Sequence, residues 1–124
     1  MPSILISEPH LEVRELLERV VEAMGFEALV DEPEHAASID VLLIEPGNEQ
    51  ALDRARRLRT TRPDLPVVCV SIYPPQLESD MLYPAAYLVK PFSVAELQDV
   101  LRKVVASGTA AAVAASAPPS HQTQ

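Results

Sequence analysis

The sequence predicts one α/β domain, a parallel sheet covered by helices on both faces. Short aliphatic runs, Ile4 to Ser7, Glu27 to Val30, Val41 to Ile44, Val67 to Ser71 and Ala86 to Val89, alternate with stretches of helical periodicity. Three of these runs end in Ser7-Glu8-Pro9, Glu45-Pro46-Gly47 and Lys90-Pro91-Phe92. Two carboxylates and one ammonium are thereby gathered at the sheet edge where such folds keep their chemistry. A chain of 124 residues suits one core and is too short for two.

The elements follow in order. In the first helix Val13, Leu16, Leu17, Val20, Val21 and Met24 recur at helical spacing, Glu12, Glu15, Glu18, Arg19 and Glu22 face away, and Gly25 supplies the C-cap. Between Val30 and Asp40 there is room for one or two turns, started at Asp31 or Glu32 before Pro33. The second helix is therefore expected to be shortened, and distorted or absent. A third helix runs from about Glu49 to Thr61, burying Leu52, Ala55 and Leu58, with Pro63 and Pro66 fencing it from the next strand. Tyr73-Pro74-Pro75 opens a fourth helix of about two turns that Pro84 closes. The last helix begins after Ser93, with Glu96 completing a capping box, and its buried stripe is Val94, Leu97, Val100, Leu101, Val104 and Val105. The predicted domain is 1–106. From Ser107 the chain turns to Ala, Ser, Pro, Gln and Thr, so 107–124 reads as a flexible tail or linker stub.

Composition narrows the function. Hydrophobic residues make up 48% of the chain and aromatics only 4%, which fits an aliphatic α/β core. A net charge of −8 lacks the basic footprint of a nucleic-acid binder. The charge is uneven: residues 1–49 hold twelve Asp/Glu against Arg14 and Arg19, while Arg54, Arg56, Arg57, Arg59 and Arg62 crowd one short stretch. These are read as solvated helix faces, with a docked partner as the other reading. Cys69, the lone cysteine, sits in an apolar run and is expected to be core. No secretory signal precedes the first strand, and Ala110 to Ala117 is far short of the ~20 residues that span a bilayer, so a soluble, cytoplasmic protein is expected. Three glycines, at 25, 47 and 108, exclude the Gly-rich dinucleotide and triphosphate loops.

Tyr87-Leu88-Val89-Lys90-Pro91-Phe92 followed by Ser93-x-x-Glu96-Leu97 resembles the receiver domain of bacterial response regulators. Ile4-Leu5-Ile6 with Arg14-Glu15-Leu16-Leu17, Asp40-Val41-Leu42-Leu43-Ile44, and Pro66 to Ser71 fit the same pattern, over roughly residues 3 to 106. The resemblance implies a flavodoxin-like (βα)5 fold, doubly wound, with five parallel strands in the order 2-1-3-4-5. It places the family's acidic pair on Glu8 and Pro9, the phosphoacceptor on Glu45, the sensing hydroxyl on Ser71, the switch aromatic on Tyr87 and the neutralising lysine on Lys90. It also allows a cis peptide before Pro91.

The departures have a physical meaning of their own. Mg²⁺ demands near-octahedral oxygen coordination, and Pro9 offers no side-chain oxygen. Glu8 and Glu45 each carry one methylene more than aspartate, which shifts the carboxylate where geometry is tight. Pro46 lacks the N–H that would hold a phosphoryl group after the acceptor. Phospho-transfer is therefore not expected, and neither a cofactor nor Mg²⁺ is called for. Glu45 either pairs with Lys90, imitating part of a phosphorylated charge pattern, or points to solvent. Ser71 and Tyr87 read without the resemblance as a local turn former and a partial core residue. His10 reads as a surface residue rather than a metal ligand.

The functional expectation is a non-enzymatic pseudo-receiver that binds a protein, a signalling protein or a second copy of itself. The resemblance puts the interface on the fourth helix, fifth strand and fifth helix, with Leu77, Met81, Leu82 and Tyr83 as candidate contacts that could equally be core. The alternative is a phosphorylatable domain using Glu45 with Mg²⁺. A flavodoxin-like binder of a small ligand is disfavoured, because no aromatic or Gly-rich loop is present to hold one.

Overall fold

Five parallel strands, β1 (Ser3–Ser7), β2 (Glu27–Leu29), β3 (Val41–Ile44), β4 (Val67–Ser71) and β5 (Ala86–Val89), form one sheet in the order β2-β1-β3-β4-β5. The computed structural model describes residues 1–77 and 81–115, with side chains as far as Ser107. The helices are α1 (Leu11–Ala23), α2 (Glu49–Thr61) and α3 (Val94–Ala115). The strand order reverses between β1 and β3, so the segments after these two strands flank the topological switch point.

The unbroken apolar runs follow from a sheet buried on both sides. Ile4, Ile6, Val41, Leu43, Val68 and Val70 face Leu17, Val20 and Val21 of α1 and Leu97, Leu101 and Val104 of α3. On the other face Leu5, Leu42, Ile44, Val67 and Cys69 meet Leu52, Ala55 and Leu58 of α2. Cys69 is core, as its sequence neighbours imply. Leu16 and Val94, expected in the buried stripes, are instead exposed at the stripes' margins.

Helix ends match their sequence signals closely. α1 closes in a Schellman motif: the Gly25 N–H donates to the Glu22 carbonyl at 3.0 Å and the Phe26 N–H to Val21 at 3.2 Å, with Gly25 at φ +83°. α2 is capped by the Asn48 side chain, which accepts the Ala51 N–H at 2.9 Å. At α3 the box is reciprocal, with Ser93 N–H to Glu96 Oε1 and Glu96 N–H to Ser93 Oγ both at 3.0 Å. α3 then continues past Ser107 to Ala115, into the segment expected to be a tail. Its alanines, the best helix formers, need no core to favour helix. The rest of that segment lies outside the described residues.

The second helix is absent. Only a 3₁₀ turn at Ala36–Ser38 remains, with Ile39 as its buried plug. The arginines of α2, read from sequence as solvated, fasten this irregular stretch. Arg57 reaches both Glu32 oxygens at 2.7 and 3.1 Å, Arg54 approaches Glu32 at 3.5 Å, and Arg62 donates to the carbonyls of Ala36 at 3.1 Å and Ile39 at 2.7 Å. Arg59 donates to the Leu65 and Leu82 carbonyls, the latter at 2.6 Å, and burial lowers its pKa from the ordinary value. A backbone without ladder partners must satisfy its carbonyls somewhere, and these guanidiniums do so.

The expected fourth helix falls partly on residues 78–80, outside the described residues. Beside them the Met81 N–H donates to the Leu77 carbonyl at 3.0 Å, and Tyr83 turns the chain at φ +49° ahead of Pro84. Leu77, Met81 and Tyr83 are exposed. Leu82 is not a surface contact: it is 5% exposed and belongs to the buried cluster on the α2 side of the sheet that also holds Leu65 and Cys69. One apolar residue of this segment has to close the core there, and Leu82 does.

Two predictions follow from these local structures. A Cβ at Gly25 meets nothing within 4 Å, so Gly25→Ala costs only its left-handed backbone, about 1–2 kcal/mol in denaturant unfolding. The Arg57 hydrogen bond holds Glu32 below its ordinary pKa. A depressed carboxylate stabilises the fold above its unfolded-state value and loses that effect as pH falls through the folded-state value. Glu32→Gln should therefore cost stability at neutral pH, and the gap to the native protein should close on acidification, as read from unfolding midpoints.

Candidate functional site

The sheet edge carries a buried charge triad. Glu8 follows β1, Glu45 follows β3, and Lys90 follows β5, one strand beyond β4. The Lys90 ammonium spans that strand to reach Glu8 Oε1 at 3.0 Å and Glu45 Oε1 at 3.2 Å. The side chains are 2%, 11% and 18% exposed for Glu8, Glu45 and Lys90, so little water screens them. Lys90 is fixed from behind by its own N–H on the Ser71 carbonyl at 2.6 Å, and the Lys90-Pro91 peptide is cis.

The second oxygen of each carboxylate is also engaged. Glu8 Oε2 accepts the His10 N–H at 3.1 Å, and Glu45 Oε2 accepts the Gly47 N–H at 3.0 Å. All four oxygens thus face N–H donors. The Asn48 N–H donates to the Glu45 carbonyl at 3.1 Å, and residue 46 is proline. Every backbone donor just after Glu45 is therefore missing or consumed by Glu45 itself. A Cβ at Gly47 would stand 3.3 Å from Glu45 Oε2, close enough to press on that carboxylate, and 3.7 Å from the Tyr73 ring, an ordinary contact.

The resemblance to receiver domains implies a divalent cation at this edge, whereas the carboxylate oxygens here are engaged by other donors. Mg²⁺ would need carboxylate oxygens turned toward it, whereas here they converge on an ammonium and on backbone amides. Pro9 adds no oxygen. His10 contributes its backbone N–H, and no group of three or more His, Cys, Asp or Glu residues suited to a metal occurs among the described residues.

Ser71 and Tyr87 do not join the triad through their hydroxyls. Ser71 Oγ accepts the Tyr73 N–H at 3.2 Å, and the Tyr87 hydroxyl donates to the Tyr73 carbonyl at 2.9 Å. Both converge on Tyr73, a residue that sequence reasoning used only as a helix start. Neither Tyr73 nor Gly47 was singled out for the site; the Pro46-Gly47 pair, a turn signal directly after Glu45, was the available clue. Beside them opens a cavity of about 330 Å³.

This architecture is shared with solved structures. The chain superposes on a response regulator receiver domain protein from Clostridium thermocellum with TM-score 0.74 at 18% identity, covering 89% of this chain and 98% of that one. The fold is that of a receiver domain. A response regulator from Thermotoga maritima gives 0.68 at 20% identity, covering 86% and 98%. The response regulator TrrA from the same organism, solved in complex with Mg²⁺-BeF, gives 0.65 at 24%, covering 84% and 99%. No protein-family model and no curated protein matches the chain.

The triad predicts an asymmetric mutational response. A pair of unit charges near this separation attracts by about 4 kcal/mol at an effective dielectric of ~20, but desolvating the ions costs several kcal/mol each. The net contribution is small, while removing one partner leaves a buried charge uncompensated. Lys90→Ala strands both carboxylates and should cost about 3 kcal/mol or more in urea unfolding. Glu45→Ala, which leaves Lys90 on Glu8, should cost clearly less.

Proposed function

We propose that this chain is a receiver-fold signalling module that binds a protein partner and does not accept phosphoryl groups. The observation that carries this reading is the Lys90 ammonium held between Glu8 and Glu45 at 3.0 and 3.2 Å. A phosphoryl group on Glu45 would have to displace this ammonium from one oxygen and the Gly47 amide from the other. It would gain no Mg²⁺ site and no Pro46 donor in exchange. The pocket instead keeps one charge arrangement without modification, and no catalytic role falls to any of its residues.

Partner binding on this reading uses the side of the domain around β5, the last strand in the sheet order. Leu77, Met81 and Tyr83 stand exposed before it, and Val89 and Val94 after it. A signalling protein and a second copy of this chain are both compatible with that apolar surface.

The test is incubation with acetyl phosphate and Mg²⁺ followed by intact mass measurement, with calorimetric titration of beryllofluoride in parallel. The expected result is an unchanged mass and no Mg²⁺-dependent heat. A phosphate adduct mapped to Glu45, or beryllofluoride affinity that requires Mg²⁺, would overturn the reading in favour of a glutamyl-phosphate receiver.

A further inference from the structure

The cavity beside the triad has walls of two kinds. Pro46, Leu52, Tyr73 and Tyr87 supply the largely apolar kind, and Ser71, Gln76 and the charged Glu49 the polar kind. About 330 Å³ is at the lower end of ligand pockets and suits one long side chain rather than a nucleotide. The Tyr87 wall is anchored by its hydroxyl on the Tyr73 carbonyl, and Tyr73 leaves 57% of its surface open. The Glu49 carboxylate makes no ion pair or hydrogen bond among the described residues.

The field in this cavity is negative. Glu49 lines it, Glu45 Oε2 lies just behind Gly47, and no lysine or arginine is among the lining residues. An anion is rejected, and a cation with an apolar stem is favoured. Aromatic faces attract cations, and a planar guanidinium both stacks on rings and binds carboxylates bidentately, which an ammonium cannot do.

We propose that this cavity receives an arginine side chain of a partner polypeptide, its guanidinium on Glu49 and its methylenes between Tyr73 and Tyr87. The inference names a partner chemistry for the interaction module and rests on that reading. Their failures are distinguishable: a phosphate on Glu45 overturns the module, whereas loss of arginine selectivity overturns only this site.

The experiment is an amide NMR titration of the full chain with acetyl-Gly-Arg-Gly-amide and with the same peptide carrying citrulline, the neutral isostere. Saturable shifts centred on Gly47, Ser71 and Tyr73 are expected with arginine, and roughly tenfold weaker binding with citrulline or with Glu49→Gln, about 1.4 kcal/mol. Glu49 is exposed on the first turn of α2, so its substitution should leave the fold intact, and an unchanged spectrum away from the cavity verifies this. Absence of saturable shifts, shifts confined to another surface, or equal binding of citrulline would overturn the proposal.

Discussion

One ammonium organises the functional edge of this protein. Lys90 crosses the end of β4 to bind carboxylates that follow β1 and β3, so a single side chain ties together the ends of β1, β3 and β5. The surrounding turns accommodate that contact. Glu45 draws in the Gly47 and Asn48 amides, Gly47 has no Cβ to obstruct it, and Tyr73 packs against the turn from the β4 side. The extra methylene of glutamate over aspartate is part of the reach that brings the Glu45 carboxylate to 3.2 Å from the Lys90 ammonium.

The second constraint is the missing helix. With only a 3₁₀ turn between β2 and β3, the chain has carbonyls that no helix ladder satisfies, and α2 answers with Arg62 while Arg57 and Arg54 hold Glu32. Arg59 does the same for Leu65 and Leu82 on the far side. The basic run therefore spends its charge within the molecule, Arg56 included, which pairs with Asp53 on the surface.

Much of this was legible in the sequence. β-branched and leucine-rich runs matched the strands β3, β4 and β5 to the residue, and Gly25 and Ser93 with Glu96 marked helix boundaries through chemistry that is local. What escaped was non-local. Whether an arginine faces water or a carbonyl depends on a loop twenty or more residues away, as for Arg62 and Ile39. Leu82 could not be separated from Leu77 and Met81 by periodicity, because one turn gives too few positions to define a face. The continuation of α3 ran against a reading based on burial, since alanine favours helix even where nothing covers it. At the site, Glu8, Glu45 and Lys90 were visible as residue types at strand ends, but the role of Tyr73 as the acceptor of one hydroxyl and donor to another appears only in three dimensions.

The tethered ammonium can also be viewed through mass action. A free ion occupies a site according to its concentration in solution, whereas Lys90 is present at a fixed and high effective concentration set by the short chain that holds it. Any dissolved cation would have to outcompete a resident that cannot diffuse away. The ammonium's presence at this edge is thereby independent of dilution, as a dissolved ion's is not.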